Sequence, residues 1–240
     1  MSTQTQTNLV DLNLSLQDIK AGERIARLYE VYGENLVAST SFGLQAAVML
    51  QLLHDYAPKV PVIFIDTGYL FKETYKYAKQ LKAAYPLDYH TYYPAIAPAA
   101  QEAKYGKLWE QGEDGNQQYA LINKIEPMNR ALSELNAQVW ISGLRREHSS
   151  TRATRSIIEQ QRNTVKAYPI LDWSDAQVDA FFAINDLPEH PLKAEGYVTM
   201  GDWHSTEKPK KEGDKESTRF GGEKYECGLH LDSGNQDFQI

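Results

Sequence analysis

Short apolar runs and helical apolar periods alternate along most of the chain. The runs are rich in β-branched and aromatic residues, which predicts buried strands at 36–39, 60–65, 87–92, 139–142 and 165–170. Between the runs, apolar residues recur every three or four positions, which predicts helices at 23–32, 44–56, 71–84, 95–103, 128–136 and, after an N-cap at Ser174, up to Ile184. This alternation predicts an α/β fold with a parallel sheet covered by helices on both faces.

Composition divides the chain into three parts. Residues 1–20 read as an N-terminal extension whose first eight residues are polar and are expected to be disordered. The alternating elements fill an α/β domain at 21–204. From about Ser205 onward Lys, Glu, Gly and Asp dominate and the apolar period is lost, so we expect a flexible C-terminal tail at 205–240.

Charge and composition disfavour several classes of protein. The 240 residues carry a formal net charge of −7, whereas a nucleic-acid partner usually requires a basic field. No apolar run reaches the length of about 18 residues that a membrane span needs, so no membrane partner is expected. The N-terminus has no basic and apolar regions like those of a signal peptide, and the chain has one cysteine, so we expect a cytoplasmic protein.

The single cysteine, Cys227, is the first candidate for chemistry. One cysteine cannot form a disulfide within the chain, and it cannot supply the thiolates of an iron–sulfur cluster. If Cys227 reacts, it acts as a lone nucleophile and needs a partner to regenerate it. The alternative is a small buried hydrophobic residue, although the preceding segment 221–226 is polar and rich in glycine. Local context leaves both interpretations open.

Polar residues follow two of the predicted strands. The segment Ser39, Thr40, Ser41, Phe42 and Gly43 lies between a strand and a helix, where backbone N–H groups can approach a phosphate. Asp66 follows the next strand and could accept a hydrogen bond from a ribose or a base amine. An ordinary turn at 39–43 and a helix cap at Asp66 are the alternatives.

Cations are concentrated in a third segment and near the end of the chain. Arg145, Arg146, Arg152 and Arg155 follow the strand predicted at 139–142, and guanidinium pairs bind phosphate in a bidentate manner. The alternative is a solvated face in which Glu147 and Glu159 pair with these arginines. Two further cations, Lys124 and Arg219, could join a polyanion site and favour the Cys227 thiolate, and His230 could contact the ligand. The histidines are scattered and predict no metal site.

Six short motifs follow one another at 39–43 (STSFG), 66–69 (DTGY), 105–109 (YGKLW), 123–128 (NKIEPM), 143–147 (GLRRE) and 226–230 (ECGLH). In this order they resemble the phosphoadenylyl-sulfate (PAPS) reductase family of sulfate assimilation. The resemblance extends over about residues 20 to 231.

The resemblance implies an adenine nucleotide α-hydrolase-like fold related to the PP-loop ATP pyrophosphatases, with 21–204 as the nucleotide-binding domain of a homodimer. It also implies reduction of PAPS to sulfite and adenosine 3′,5′-bisphosphate, with thioredoxin, or glutaredoxin in its place, as electron donor in cysteine synthesis. By position, the loop 39–43 corresponds to the phosphate-binding loop and Cys227 to the nucleophile. Cations near the phosphosulfate or the phosphates are matched by Lys124, Arg145, Arg152 and Arg219.

The chain also departs from related families. PP-loop enzymes carry a lysine and a carboxylate in a Ser-Gly-Gly-Lys-Asp-Ser motif, and the segment 41–46 (SFGLQA) has neither. Relatives that use adenylyl sulfate (APS) with an iron–sulfur cluster need four cysteine ligands, so the resemblance implies no cluster and no other cofactor here. The alternatives are a cluster-free APS reductase, a nucleotidyltransferase of the same superfamily, and a non-catalytic nucleotide-binding protein.

Overall fold

A computed structural model describes residues 3–148, 152–161, 164–211 and residue 218. A six-stranded sheet forms the centre of this part of the chain. Its strands are β1 (Leu36–Thr40), β2 (Val62–Ile65), β3 (Tyr89–Tyr92), β4 (Val139–Ile141), β5 (Ile158–Gln161) and β6 (Thr164–Ala167).

The strand order is β3-β2-β1-β4-β6-β5. All neighbouring strands are parallel except β5, which pairs with β6 in the antiparallel direction at the edge of the sheet. The chain runs outward from β1 through β2 to β3 and then returns to the other side of β1 to form β4. The strand order therefore reverses between β1 and β4, where open α/β sheets bind their ligands at the carboxyl ends of the strands.

Helices cover both faces of the sheet. They are α1 (Thr3–Gln17), α2 (Ala21–Tyr32), α3 (Ala46–Tyr56), α4 (Lys72–Ala84), α5 (Pro98–Tyr105), α6 (Gly112–Ala120), α7 (Glu126–Glu134), α8 (Asp175–Ile184) and α9 (Pro191–Ala194). A π-helical turn, Leu121–Ile125, joins α6 to α7. Within the described residues, no helix has both the length and the apolar character needed to cross a bilayer.

Alternate residues of the central strands belong to two apolar cores. Ala38 and Ile141 lie in the larger core with α2 and α3, whereas Val37 and Trp140 lie in a smaller core beneath α7. Strands buried on both faces read as continuous apolar runs, which is why the sequence predicts β1 and β4 correctly. The predicted fold class, a parallel sheet with helices on both faces, is confirmed.

Both ends of the described chain differ from the prediction. Helix α1 begins at Thr3, where disorder is expected from the sequence, because Leu9 and Leu12 pack against the larger core beside the buried Leu16. Packing also continues past the predicted domain boundary at 204. Thr206 and Thr218 are buried, and the Glu207 N–H donates to the Thr218 carbonyl at 2.9 Å. The remainder of the predicted tail lies outside the described residues.

Candidate active site

A cavity of about 350 Å³ opens at the carboxyl ends of β1 and β4, where the strand order reverses. Its wall combines the loop after β1, the segment after β4, the π-helical turn and the chain before residue 203. Polar groups on the wall come from Ser39, Thr40, Ser41, Gln45, Thr67, Thr74, Lys124, Ser142, Arg152, Thr199 and Asp202. The volume suits one small ligand.

The loop 39–43 forms one side of the cavity and leads into α3. The Thr40 hydroxyl accepts a hydrogen bond from the Phe42 N–H at 3.1 Å, and the Ser39 hydroxyl accepts one from the Trp140 indole at 2.7 Å. Gly43 and Ala46 also lie on the wall, which brings the N-terminal end of α3 to the cavity. A helix N-terminus with nearby backbone N–H groups favours an anion.

Phe42 belongs to this loop, and its side chain anchors the loop by packing into the core on the side away from the cavity. The Phe42 ring is fully buried and packs edge-on against Phe64 at 4.9 Å, and the Lys82 ammonium lies 5.6 Å from its centroid. Its backbone has a φ of 49°, an uncommon conformation for a residue with a side chain. The structure therefore places the Phe42 side chain in the core and not on the cavity wall, so it cannot contact a ligand there.

Lys124 is the cation most firmly held on the wall. Its ammonium lies 2.6 Å from one carboxylate oxygen of Asp202, and the Thr67 hydroxyl donates to the other oxygen at 2.5 Å. Burial raises the pKa of Asp202, but the charge and hydrogen bond of Lys124 and the bond from Thr67 outweigh it and lower the pKa to about 2. Asp202 is therefore an ionised carboxylate inside a cavity that also carries cations.

The backbone on both sides of this ion pair is fixed. Next to Lys124, the Asn123 side-chain amide exchanges two hydrogen bonds with the Gln101 amide, at 2.8 and 3.0 Å. Next to Asp202, the Trp203 N–H donates to the Tyr69 carbonyl at 2.9 Å. These contacts hold the π-helical turn against α5 and the segment around residue 203 against the loop after β2.

The predicted arginine cluster is divided between different surroundings. Arg145 is fully buried and is not on the cavity wall, because its guanidinium bonds Asp175 at 2.6 Å and the Trp173 carbonyl at 3.0 Å. Arg145 also bonds the Gln45 side chain at 3.0 Å, so it braces a residue of the wall. The structure thus gives the buried guanidinium internal acceptors, and a direct contact of Arg145 with a ligand stays a prediction.

The other members of the cluster also separate. Arg152 lies on the cavity wall, and its contact with a ligand stays a prediction. Arg146 lies on a different surface and donates to the Arg155 carbonyl at 2.8 Å, and Arg155 pairs with Glu159. The sequence leaves open whether these arginines pair with Glu147 and Glu159. Arg155 does pair with Glu159, which explains its position.

Asp66 is close to the site but turned away from the ligand space. Its carboxylate accepts hydrogen bonds from the Gly68 N–H at 2.9 Å and the Tyr75 hydroxyl at 2.7 Å, and it is not part of the wall. The following residue, Thr67, lines the cavity instead. Asp66 thus caps the turn after β2, and it is not a helix cap, because the N-cap of α4 is Phe71.

Three predicted site residues, Cys227, Arg219 and His230, lie outside the described residues. Two residues that sequence reasoning missed, Asp202 and Ser142, lie on the cavity wall. Lys124 is the feature that points to Asp202, because a lysine buried inside a fold needs a carboxylate partner. Among the described residues, no three His, Cys, Asp or Glu side chains converge as a metal site would require.

The sheet order and the cavity define a mostly parallel α/β protein with a cavity at the strand-order switch. The chain belongs to the phosphoadenosine phosphosulfate reductase family, because the model of the phosphoadenosine phosphosulfate reductase domain matches residues 35–208. It is 46% identical to the phosphoadenosine 5′-phosphosulfate reductase of Photobacterium profundum, over 95% of this chain and 90% of that protein. The enzyme of that name from Salmonella typhi is 47% identical, over 92% and 91% of the two chains.

Solved structures give the same result for the fold. A phosphoadenylyl-sulfate (PAPS) reductase from Candida auris, crystallised as a phosphate complex, superposes with a TM-score of 0.73 at 32% identity, over 86% of this chain and 98% of that chain. The FMN adenylyltransferase of Candida glabrata superposes with a TM-score of 0.54 at 17% identity, over 82% and 72%. The second similarity concerns the fold alone.

Proposed function

We propose that this protein reduces PAPS to sulfite and adenosine 3′,5′-bisphosphate. The observation that carries the proposal is the position of the cavity, at the strand-order switch of a chain that is similar to PAPS reductases along 95% of its length. The cavity brings backbone N–H groups of the loop 39–43 together with the side chains of Lys124 and Arg152. These groups suit the phosphosulfate of PAPS, because fixed dipoles and cations stabilise its negative charge.

The proposed nucleophile is the thiolate of Cys227. It attacks the sulfur atom of the phosphosulfate, so that a sulfur–sulfur bond forms while the bond between that sulfur and the bridging oxygen breaks. The oxygen leaves with its electron pair on adenosine 3′,5′-bisphosphate, and the enzyme carries an S-sulfocysteine. Arg219 and His230 supply further positive charge to this step in the proposal, together with Lys124.

The electrons come from a dithiol protein, for which we propose thioredoxin. One thioredoxin thiolate attacks the Cys227 sulfur and releases sulfite with the bonding electron pair. The second thioredoxin thiolate then breaks the mixed disulfide, which regenerates Cys227 and leaves oxidised thioredoxin. Two electrons pass from thioredoxin to sulfur in each cycle, so the proposal needs no iron–sulfur cluster or other cofactor. The homodimer, the cytoplasmic location, glutaredoxin as a substitute and the role in cysteine synthesis stay predictions.

Intact-mass analysis tests the reaction class. Reduced enzyme mixed with PAPS in the absence of thioredoxin should gain the mass of one SO₃ group, and thioredoxin should remove it with release of sulfite. The chain has one cysteine, so a Cys227→Ser variant is a complete control and should gain nothing while still binding adenosine 3′,5′-bisphosphate. Unchanged sulfite release by Cys227→Ser would contradict the proposal.

The alternative activities give different results in related assays. A cluster-free APS reductase would show a higher kcat/KM for adenylyl sulfate than for PAPS. A nucleotidyltransferase would consume ATP and release pyrophosphate; the loop 41–46 has neither the lysine nor the carboxylate that PP-loop enzymes use for this chemistry. A non-catalytic nucleotide-binding protein would bind PAPS without gaining mass.

A further inference from the structure

Ser142 carries a buried hydroxyl group for which the described part of the chain supplies no hydrogen-bond partner. The residue directly follows β4, and its backbone N–H donates to the Ala167 carbonyl at 3.0 Å, so its position is fixed by the sheet. Its exposed fraction is 5%, and it forms part of the cavity wall. Folding normally pairs a buried hydroxyl, so an unsatisfied one beside a cavity points to a ligand group.

Strand geometry places the Ser142 side chain on the cavity side of the sheet. Side chains alternate between the two faces of a strand, so Ser142 shares a face with Trp140 and not with Ile141. Ile141 faces the larger core, whereas the indole of Trp140 bonds Ser39, another residue of the cavity wall. Ser142 and Ser39 therefore face the same ligand space from neighbouring strands.

Apart from Ser41, which is exposed, the other hydroxyl groups on the wall differ from that of Ser142 because they have protein partners. Thr40 accepts from the Phe42 N–H, Thr67 donates to Asp202, and the hydroxyl of Thr74 lies 3.1 Å from a ring nitrogen of His190. These hydroxyl groups stabilise the wall itself. The Ser142 hydroxyl has no such structural use among the described residues.

We propose that the Ser142 hydroxyl forms a hydrogen bond to the nucleoside part of the bound nucleotide, an inference that rests on the proposed function. The wall next to Ser142 is apolar: Gly143 and Leu144 follow it, and a Cβ added at Gly143 would lie 2.9 Å from Met49. A base or ribose presents apolar surface with polar atoms at its edge, which fits one hydroxyl in an apolar wall. The phosphates fit the other part of the wall, which carries Lys124 and the N-terminal end of α3.

A Ser142→Ala variant of the full chain tests this role. We expect its affinity for adenosine 3′,5′-bisphosphate, measured by calorimetry, to fall roughly five- to tenfold, the loss of one ordinary hydrogen bond. Inorganic phosphate should inhibit the variant and the wild type with the same constant, because phosphate does not reach the nucleoside position. The midpoint of thermal unfolding should not fall, because the hydroxyl removed has no partner in the protein.

Ser174→Ala provides the opposite control. Its hydroxyl accepts from the Gln177 N–H at 3.2 Å as the N-cap of α8, so this variant should unfold at a lower temperature and bind the nucleotide normally. Equal affinity of Ser142→Ala and wild type would overturn the inference, as would an equal loss for inorganic phosphate, which would make the hydroxyl an anion contact. If wild type binds the nucleotide but releases no sulfite, the proposed function fails and the assignment of Ser142 stands.

Discussion

The ammonium of Lys124 lies 2.6 Å from the carboxylate of Asp202, and both side chains are almost completely removed from solvent. The pair places a negative charge within a cavity that we propose binds a polyanion. Its effect is to keep a buried lysine charged and fixed before the ligand enters, since an unpaired buried ammonium would be strongly destabilising. Asp202 thus positions Lys124 and need not contact the ligand.

Asp202→Asn removes the charge but keeps an oxygen for the Thr67 hydroxyl. Because Lys124 would lose its counter-ion in a buried site, we expect the free energy of unfolding in urea to fall by about 3 kcal/mol. Glu189→Gln is the matched control, since Glu189 pairs with Lys193 at 2.5 Å on the exposed surface. That variant should cost less than about 1 kcal/mol. Equal costs for the two variants would show that the buried pair has no special structural importance.

Arg145 and Arg152 should respond differently to the same substitution. Arg145→Ala breaks the buried contacts to Asp175 and the Trp173 carbonyl, so we expect a loss of at least about 2 kcal/mol of unfolding free energy. Arg152→Ala, on the cavity wall, should weaken adenosine 3′,5′-bisphosphate binding by about 1.5–3 kcal/mol with little change in stability. Calorimetry and urea unfolding separate the two effects. Arg145→Lys is a milder change. If it weakens adenosine 3′,5′-bisphosphate binding at unchanged stability, Arg145 contacts the ligand and the expected difference between the two arginines is absent.

His190 should make stability depend on pH. Burial lowers its pKa from 6.5 to about 4, with only partial opposition from Glu73, and its Nδ1 accepts from the Leu192 N–H at 3.2 Å. The folded pKa is below the unfolded value, so the contribution is complete above pH 6.5 and is lost as the pH falls toward 4. The slope should reach about 1.4 kcal/mol per pH unit.

Urea unfolding between pH 4 and 7 measures this slope. His190→Asn keeps an acceptor near Leu192 and should reduce the slope by up to about 1.4 kcal/mol per pH unit, the value for one proton. An identical slope in wild type and His190→Asn would show that other groups cause the pH dependence.

Phe42 links the packing of the core to the shape of the loop 39–43. Phe42→Ala removes the ring packed against Phe64, so we expect the free energy of unfolding to fall by about 3–5 kcal/mol. The freed loop should also bind inorganic phosphate more weakly, measured by inhibition of sulfite release. Phe42→Leu keeps most of the apolar volume and should retain phosphate binding; if both variants bind phosphate like wild type, the ring does not shape the loop.

The sequence predicts five of the six strands and misses the antiparallel edge strand β5. Strands β1 and β4 are recognisable because burial on both faces produces continuous apolar runs. Strand β5 was not predicted, since Glu159, Gln160 and Gln161 give it a polar pattern at the sheet edge. The helix α6 was also missed because glycine and polar residues dominate it.

The sequence predicts the features of the site that depend on a local pattern. It does not predict those that depend on residues distant in the chain. The loop 39–43 is visible as small polar residues between a strand and a helix. Whether an arginine binds a ligand or braces the fold depends on acceptors elsewhere: Asp175 holds Arg145, whereas Arg152 reaches the cavity. A single sequence cannot show which acceptor meets which guanidinium.

The π-helical turn Leu121–Ile125 determines both where the Lys124 side chain points and which face of α7 meets the sheet. A π turn contains one residue more than an α turn, and each residue of an α-helix turns the chain by about 100°. Shortening the turn by one residue would rotate α6 and α7 relative to each other by that angle. Lys124 could then face Asp202 only if Met128 left the core beneath α7. The additional residue therefore allows a continuous helical segment to place the Lys124 ammonium at the cavity and the apolar face of α7 on the sheet.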